Sequence, residues 1–129
     1  MKSSGLTRAL SLWGPVLVYM AMIYFVSSLP RAPLPPDVSD KTGHLTAYVL
    51  MGVLAFRAVA GGLPARVTWP LAITALVIAV GHGALDEFHQ SFVPGRQADI
   101  HDWYADSAGA GLGLIVCWAW GIIRVRADA

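Results

Sequence analysis

Residues 69–96 read WPLAITALVIAVGHGALDEFHQSFVPGR, an apolar run that passes without a break into Asp86, Glu87, His89, Gln90 and Arg96. A helix rises ~1.5 Å per residue, so ~20 apolar residues cross the hydrocarbon core of a bilayer. The run from Trp69 to about Phe88 has that length. Working outward, three more stretches of the same kind appear: Ala9 to Ser28, Gly43 to Gly61, and Trp103 to Ile123. The chain therefore reads as all-α, a polytopic membrane protein with four transmembrane helices in one bundle and a single domain over 1–129. The first stretch follows Met1, Lys2 and Arg8 as a signal peptide would, but its apolar length exceeds the roughly 7–15 residues of a cleavable core. It is expected to stay as a membrane helix.

Composition supports this class. Apolar residues make up 56% and charged residues 13% of the chain, whereas a soluble domain carries about a quarter charged residues. A formal net charge of +1, with no basic run and no finger or recognition-helix pattern, excludes nucleic acid as an expected partner. Membrane lipids are the expected surroundings. The lone Cys117 leaves no disulfide framework and no paired-cysteine metal site, so it reads as a small packing or lipid-facing residue.

Lys and Arg in short connections set orientation. Lys2, Arg8, Arg57, Arg66, Arg124 and Arg126 fall on one side, against Arg31, Lys41 and Arg96 on the other. Both termini are thus expected in the cytoplasm of a cell inner (plasma) membrane. Every acidic residue except Asp128 then lies toward the outer side: Asp37, Asp40, Asp86, Glu87, Asp99, Asp102 and Asp106. Helical spacing gathers them. Lys41, His44, Tyr48 and Gly52 share one face of the second helix; His82, Asp86 and His89 share a face of the third, with Gln90 beside Asp86. Asp102, Asp106, Gly109 and Gly113 share one of the fourth. Carboxylates in the last turns of a span are costly unless paired or hydrated, which makes them functional candidates. The plainer alternative is that they reach the headgroups, or pair with Lys41 and Arg96 to hold the loops.

The stretches DKTGHLTAYVLMGVLA at 40–55 and DEFHQSFVPGRQADIHDWYADSAGAGLG at 86–113 resemble the two signature blocks of the VanZ-like family of small membrane proteins. The resemblance covers roughly Asp40 to Gly113, with the first helix matching in character alone. Asp106 stands where many relatives carry Asn, which adds an acid to the site. The family is named for low-level resistance to the glycopeptide teicoplanin, so the resemblance implies a cell-envelope role with lowered antibiotic sensitivity. It implies no reaction.

The residue types allow three chemistries. Asp and Glu with nearby His suit a divalent cation; crowded carboxylates that hold a proton suit general acid/base work; and the acids can bind a cationic group. Asp86, Glu87, Asp102, Asp106 and His44 are the candidate catalytic residues. Asp40, Lys41, Gln90, Arg96 and Tyr48 are the candidate substrate contacts. No residue is assigned as a metal ligand; a proton is the favoured partner of the site, with a divalent metal the open alternative. So acidic a layer would repel a bare phosphate, so a phosphorylated lipid needs a metal, or Lys41 and Arg96 at its oxygens. The Pro94-Gly95 turn is expected to fold its loop back so that Arg96 points at the acids. Arg57 is expected to snorkel to the inner headgroups, and GAGLG at 109–113 to serve small-residue helix packing rather than nucleotide binding. The leading reading is a protein that handles or modifies a lipid-linked component, such as a cell-wall precursor, at the outer leaflet. The alternatives are a proton-coupled transport or binding module, for which four helices would need a homo-oligomer, and an assembly partner.

Overall fold

The computed structural model describes residues 4–129, so the expectation placed on Lys2 lies outside the described residues. Four helices follow in order: α1 (Gly5–Ser27), α2 (Asp40–Ala60), α3 (Trp69–Gln90) and α4 (Ile100–Ala127). Each is long and apolar enough to cross a membrane, and no strand occurs among the described residues.

The helices overrun the apolar stretches that announced them, and the local reason is capping. The Ser39 side chain accepts from Thr42 N–H, which starts α2 at Asp40 rather than Gly43. Asp99 accepts from His101 N–H and starts α4 at Ile100 rather than Trp103. Each cap satisfies a backbone donor that has no partner inside its own helix. The consequence is functional: Asp40, Lys41 and Asp102 are held at helical positions. At the other end α4 runs on to Ala127, with Arg124 and Arg126 in the last turn, where cations suit the helix dipole.

Packing centres on the α2–α4 pair, with α3 against both and α1 against α2 and α3. A Cβ at Gly52 would lie 2.5 Å from the Ala110 carbonyl oxygen, and Cβ atoms at Gly109 and Gly113 would overlap the carbonyls of Leu45 and Val49. The two backbones therefore touch, as the small residues of the GAGLG stretch predict. Around this contact Tyr48, Met51, Ala55, Phe56, Ala110 and Cys117 are buried, so Cys117 packs inward rather than facing lipid.

Arg57 departs from its expected role. Pro15 lies inside α1 and has no N–H to give the Ser11 carbonyl one turn earlier. The Arg57 Nη1 donates to that oxygen at 2.8 Å. A side chain expected to reach headgroups instead repairs a gap in a neighbouring helix.

The exterior is apolar and the polar groups are inside. Leu17, Val18, Val77 and Ile115 are exposed, while Asp86, Glu87, Gln90, Asp102 and Asp106 are buried. That inverts the soluble pattern and suits a lipid surround.

Candidate functional site

The buried polar groups meet at one end of the bundle, where α2 and α4 begin and α3 ends. Lys41, on the first turn of α2, donates to Asp99 Oδ2 at 2.8 Å and to Asp102 Oδ1. One turn further, His44 Nδ1 lies 2.7 Å from Asp106 Oδ1, and its Nε2 lies 3.6 Å from both Asp40 Oδ2 and Asp102 Oδ2. The ring of His44 is thus ringed by three carboxylates. Asp106 is 0% exposed; a Cβ on Gly83 would stand 3.0 Å from its Oδ2. The missing side chain at Gly83 is what lets α3 approach that carboxylate.

Asp86 and Glu87, neighbours in sequence, face different ways, as the ~100° step of a helix requires. Asp86 Oδ2 accepts from Gln90 Nε2 at 3.3 Å, and Gln90 also donates to Ser27 of α1 at 3.2 Å. Glu87 Oε2 accepts the backbone N–H of Asp99 at 3.0 Å. Among the described residues, three buried side-chain oxygens have no hydrogen-bond partner: Asp86 Oδ1, Glu87 Oε1 and Asp106 Oδ2. A buried oxygen left in this way costs ~1–3 kcal/mol unless something meets it. At the edge of the site, the Lys41 ammonium beside Asp99, with further help from His101, holds the Asp99 carboxyl well below the usual carboxylate range.

Of the ten candidate residues, nine gather here; Tyr48 sits deeper, with its hydroxyl 2.9 Å from His82 Nδ1. Arg96 requires a correction. Its Nε donates to Leu29 O at 2.7 Å and its Nη2 to Val26 O at 2.9 Å, so it does not pair with the acids. Val26 lies in the last turn of α1, where carbonyls lack a partner within the helix, and Leu29 follows just past its end, so the guanidinium ties down the point where the chain leaves α1. Gly95, at φ 85°, makes the turn that brings it there. His89 is also drawn off: its Nε2 lies 2.9 Å from Ser28 Oγ and its ring stacks on Tyr24 of α1. Ser27, Gly83 and Asp99 were not among the candidates. Gly83 was legible as a small residue one turn before Glu87; Ser27 and Asp99 had no local signal.

Two cavities open on the cluster. A groove of about 230 Å³ runs along α1, walled by Tyr19, Met22, Ile23 and Val26 and reaching His44, Asp86 and Arg96. Beside it a polar vestibule of about 690 Å³ is lined by Arg31, Lys41, Asp99 and Asp102. Ala32, Asp40, Gln90 and Arg96 belong to both.

Fold and site together define a multi-pass membrane protein, a four-helix bundle with a carboxylate-rich site buried at one end. The chain belongs to the VanZ/LLP1 family, whose pattern matches residues 10–123. No curated protein and no solved structure matches the chain.

Proposed function

We propose that the protein binds a lipid-linked component of the cell envelope at the outer leaflet and handles or modifies its headgroup at the carboxylate cluster. The observation that carries this reading is the junction of the two cavities. An apolar groove along α1 suits an acyl or prenyl chain, and it meets a polar vestibule where Arg31, Lys41 and Arg96 line the walls with Asp40, Asp99 and Asp102. A ligand with an apolar tail and a polar head fits that division. The outer-leaflet reading is supported by Arg8, Arg57, Arg66, Arg124 and Arg126 lying at the opposite end of the helices. Family membership supports an envelope role, with lowered glycopeptide sensitivity as a consequence.

One observation favours a second reading, proton-coupled transport. Inward of the carboxylates the Tyr48 hydroxyl and His82 Nδ1 are in contact at 2.9 Å, a pair that a proton path could use. Proton uptake by protein-containing vesicles that is lost in His82→Leu would favour this reading over headgroup chemistry.

The first reading is tested by comparing lipids and lipid-linked cell-wall precursors in cells that carry the wild type, no protein, or Asp86→Asn. Asp86 Oδ1 has no partner to lose, so the variant is expected to reach the membrane in normal amount and melt within about 1 kcal/mol of wild type. Its lipid profile should match that of cells lacking the protein. Identical profiles in all three strains would overturn the reading.

A further inference from the structure

On the inner side of the His44 ring, α3 and α4 each bring a carboxylate into the bundle and leave one of its oxygens bare. Asp106 of α4 is 0% exposed; its Oδ1 lies 2.7 Å from His44 Nδ1, and its Oδ2 has no partner. That free oxygen is turned toward α3, since a Cβ on Gly83 would stand 3.0 Å from it. Glu87 follows Gly83 by one turn and so lies on the same face of α3. It is 9% exposed; its Oε2 accepts the Asp99 N–H at 3.0 Å, and its Oε1 has no partner. His44, Glu87 and Asp106 each offer one ligand atom, and these atoms lie within 4.8 Å of one another.

Among the described residues, no cationic side chain reaches the two bare oxygens. Lys41 is shared by Asp99 and Asp102, and Arg96 donates to the Leu29 and Val26 carbonyls. His44 does not meet them either. Whichever ring nitrogen carries the proton, that proton faces Asp106 Oδ1 on one side or Asp40 and Asp102 on the other, and Asp106 Oδ2 and Glu87 Oε1 stay bare. Buried carboxylate oxygens in that condition call for a positive group that the side chains do not provide. With the ring proton on Nε2, on the side of Asp40 and Asp102, the Nδ1 lone pair is free to join them.

We propose that His44, Glu87 and Asp106 bind a divalent transition-metal ion on the inner side of the imidazole. Two carboxylates and an imidazole are a transition-metal ligand set, and the imidazole disfavours magnesium and calcium. Ligands bound at ~2.0–2.2 Å stand no more than roughly 4.4 Å apart across an ion, so small side-chain rotations close this set. The outer groups suit it: Asp40 and Asp102 face the Nε2–H and fix the tautomer, and the Asp99 N–H holds the second oxygen of Glu87. The proposal takes the open alternative, a divalent metal, over the expected proton. It stands on ligand geometry and not on the lipid reading. Asp86 is outside the ligand set, so Asp86→Asn tests that reading and Glu87→Gln this one.

The test uses full-length protein purified in a mild detergent without chelator and freed of its affinity tag. Elemental analysis is expected to find a near-stoichiometric transition metal. After stripping, titration with manganese(II) is expected to remove the free-ion electron paramagnetic resonance signal until the protein is saturated, and zinc to restore it. Glu87→Gln keeps an oxygen for the Asp99 N–H and loses the charge, so it should fold, as circular dichroism and gel filtration establish, and should abolish stoichiometric binding. Asp106→Asn should do the same, and Asp37→Asn, away from the site, should change nothing. Wild-type protein that is helical and monodisperse yet carries no metal and leaves the manganese signal untouched would overturn the proposal, as would stoichiometric binding that survives in folded Glu87→Gln. So would the infrared band of a protonated carboxyl that persists in manganese-treated wild type and is absent from Glu87→Gln, since it puts a proton where the ion is assigned. Should Asp106→Asn fail to fold, Glu87→Gln and the wild-type titration still decide.

Discussion

Asp99 carries three separate contacts. Its Oδ1 caps α4, its Oδ2 accepts from Lys41 at 2.8 Å, and its backbone N–H donates to Glu87. Cap, ion pair and amide contact together join the starts of α2 and α4 to the end of α3. Lys41 and the contacts with His101 depress the folded pKa of its carboxyl. The stabilisation is therefore present above the unfolded value of about 4 and is lost as pH falls through the lower folded value. Asn also caps helices well, so Asp99→Asn removes the charge and keeps the cap. Melting of the two proteins in detergent should differ by a constant amount from pH 8 to pH 5. Below about pH 4 the difference should close; a gap that opens there instead would show that the charge does not stabilise the fold. From the chain alone Asp99 was an ordinary loop acid, because Lys41 is 58 residues away and no local pattern joins them.

The contact between α2 and α4 sets the geometry of the site, since it brings His44 against Asp102 and Asp106. Gly52, Gly109 and Gly113 allow it by leaving backbone against backbone. A Cβ at Gly113 would overlap the Val49 carbonyl, whereas Gly111, on the same helix, has open space around it. Gly113→Ala is therefore expected to destabilise the protein by about 1–3 kcal/mol, and to part His44 from Asp102 and Asp106. Gly111→Ala should be neutral or slightly stabilising, since Ala is the better helix former. Denaturant titration followed by circular dichroism measures both, and equal effects would remove the packing argument. Helical spacing alone already placed Gly109 and Gly113 on the face of Asp102 and Asp106. It could not assign the partner helix.

In the whole molecule, the charged residues divide by end. Arg8 reaches the Gly61 carbonyl and Arg57 the Ser11 carbonyl, at the end opposite the carboxylates. Orientation in a membrane follows from that division if Lys and Arg are held inside. In a chain with Cys117 replaced by Ala, a cysteine at Gln97 should react with an impermeant thiol reagent applied from outside. One at Thr68, exposed in the α2–α3 connection, should react once the membrane is opened and not before. The reverse pattern would put the site in the cytoplasm and end the outer-leaflet reading. Helix α1 is the least buried of the four, yet it walls the groove and holds Gln90, His89 and Arg96. Its contribution is to the cavity more than to the core.

The amino-acid sequence by itself determined the number and order of the helices, the gathering of acids at one end and the family. These are written in apolar length and in the spacing of residues along single helices, both of them local. Tertiary structure alone decided which oxygens meet. His44 finds Asp106 across 62 residues, and Arg96 finds α1 across 70. Pairings of that kind depend on how helices are rotated and how closely they approach. Rotation and approach are set by the joint packing of Gly52, Gly83, Gly109 and Gly113 against neighbours that lie far off in the chain.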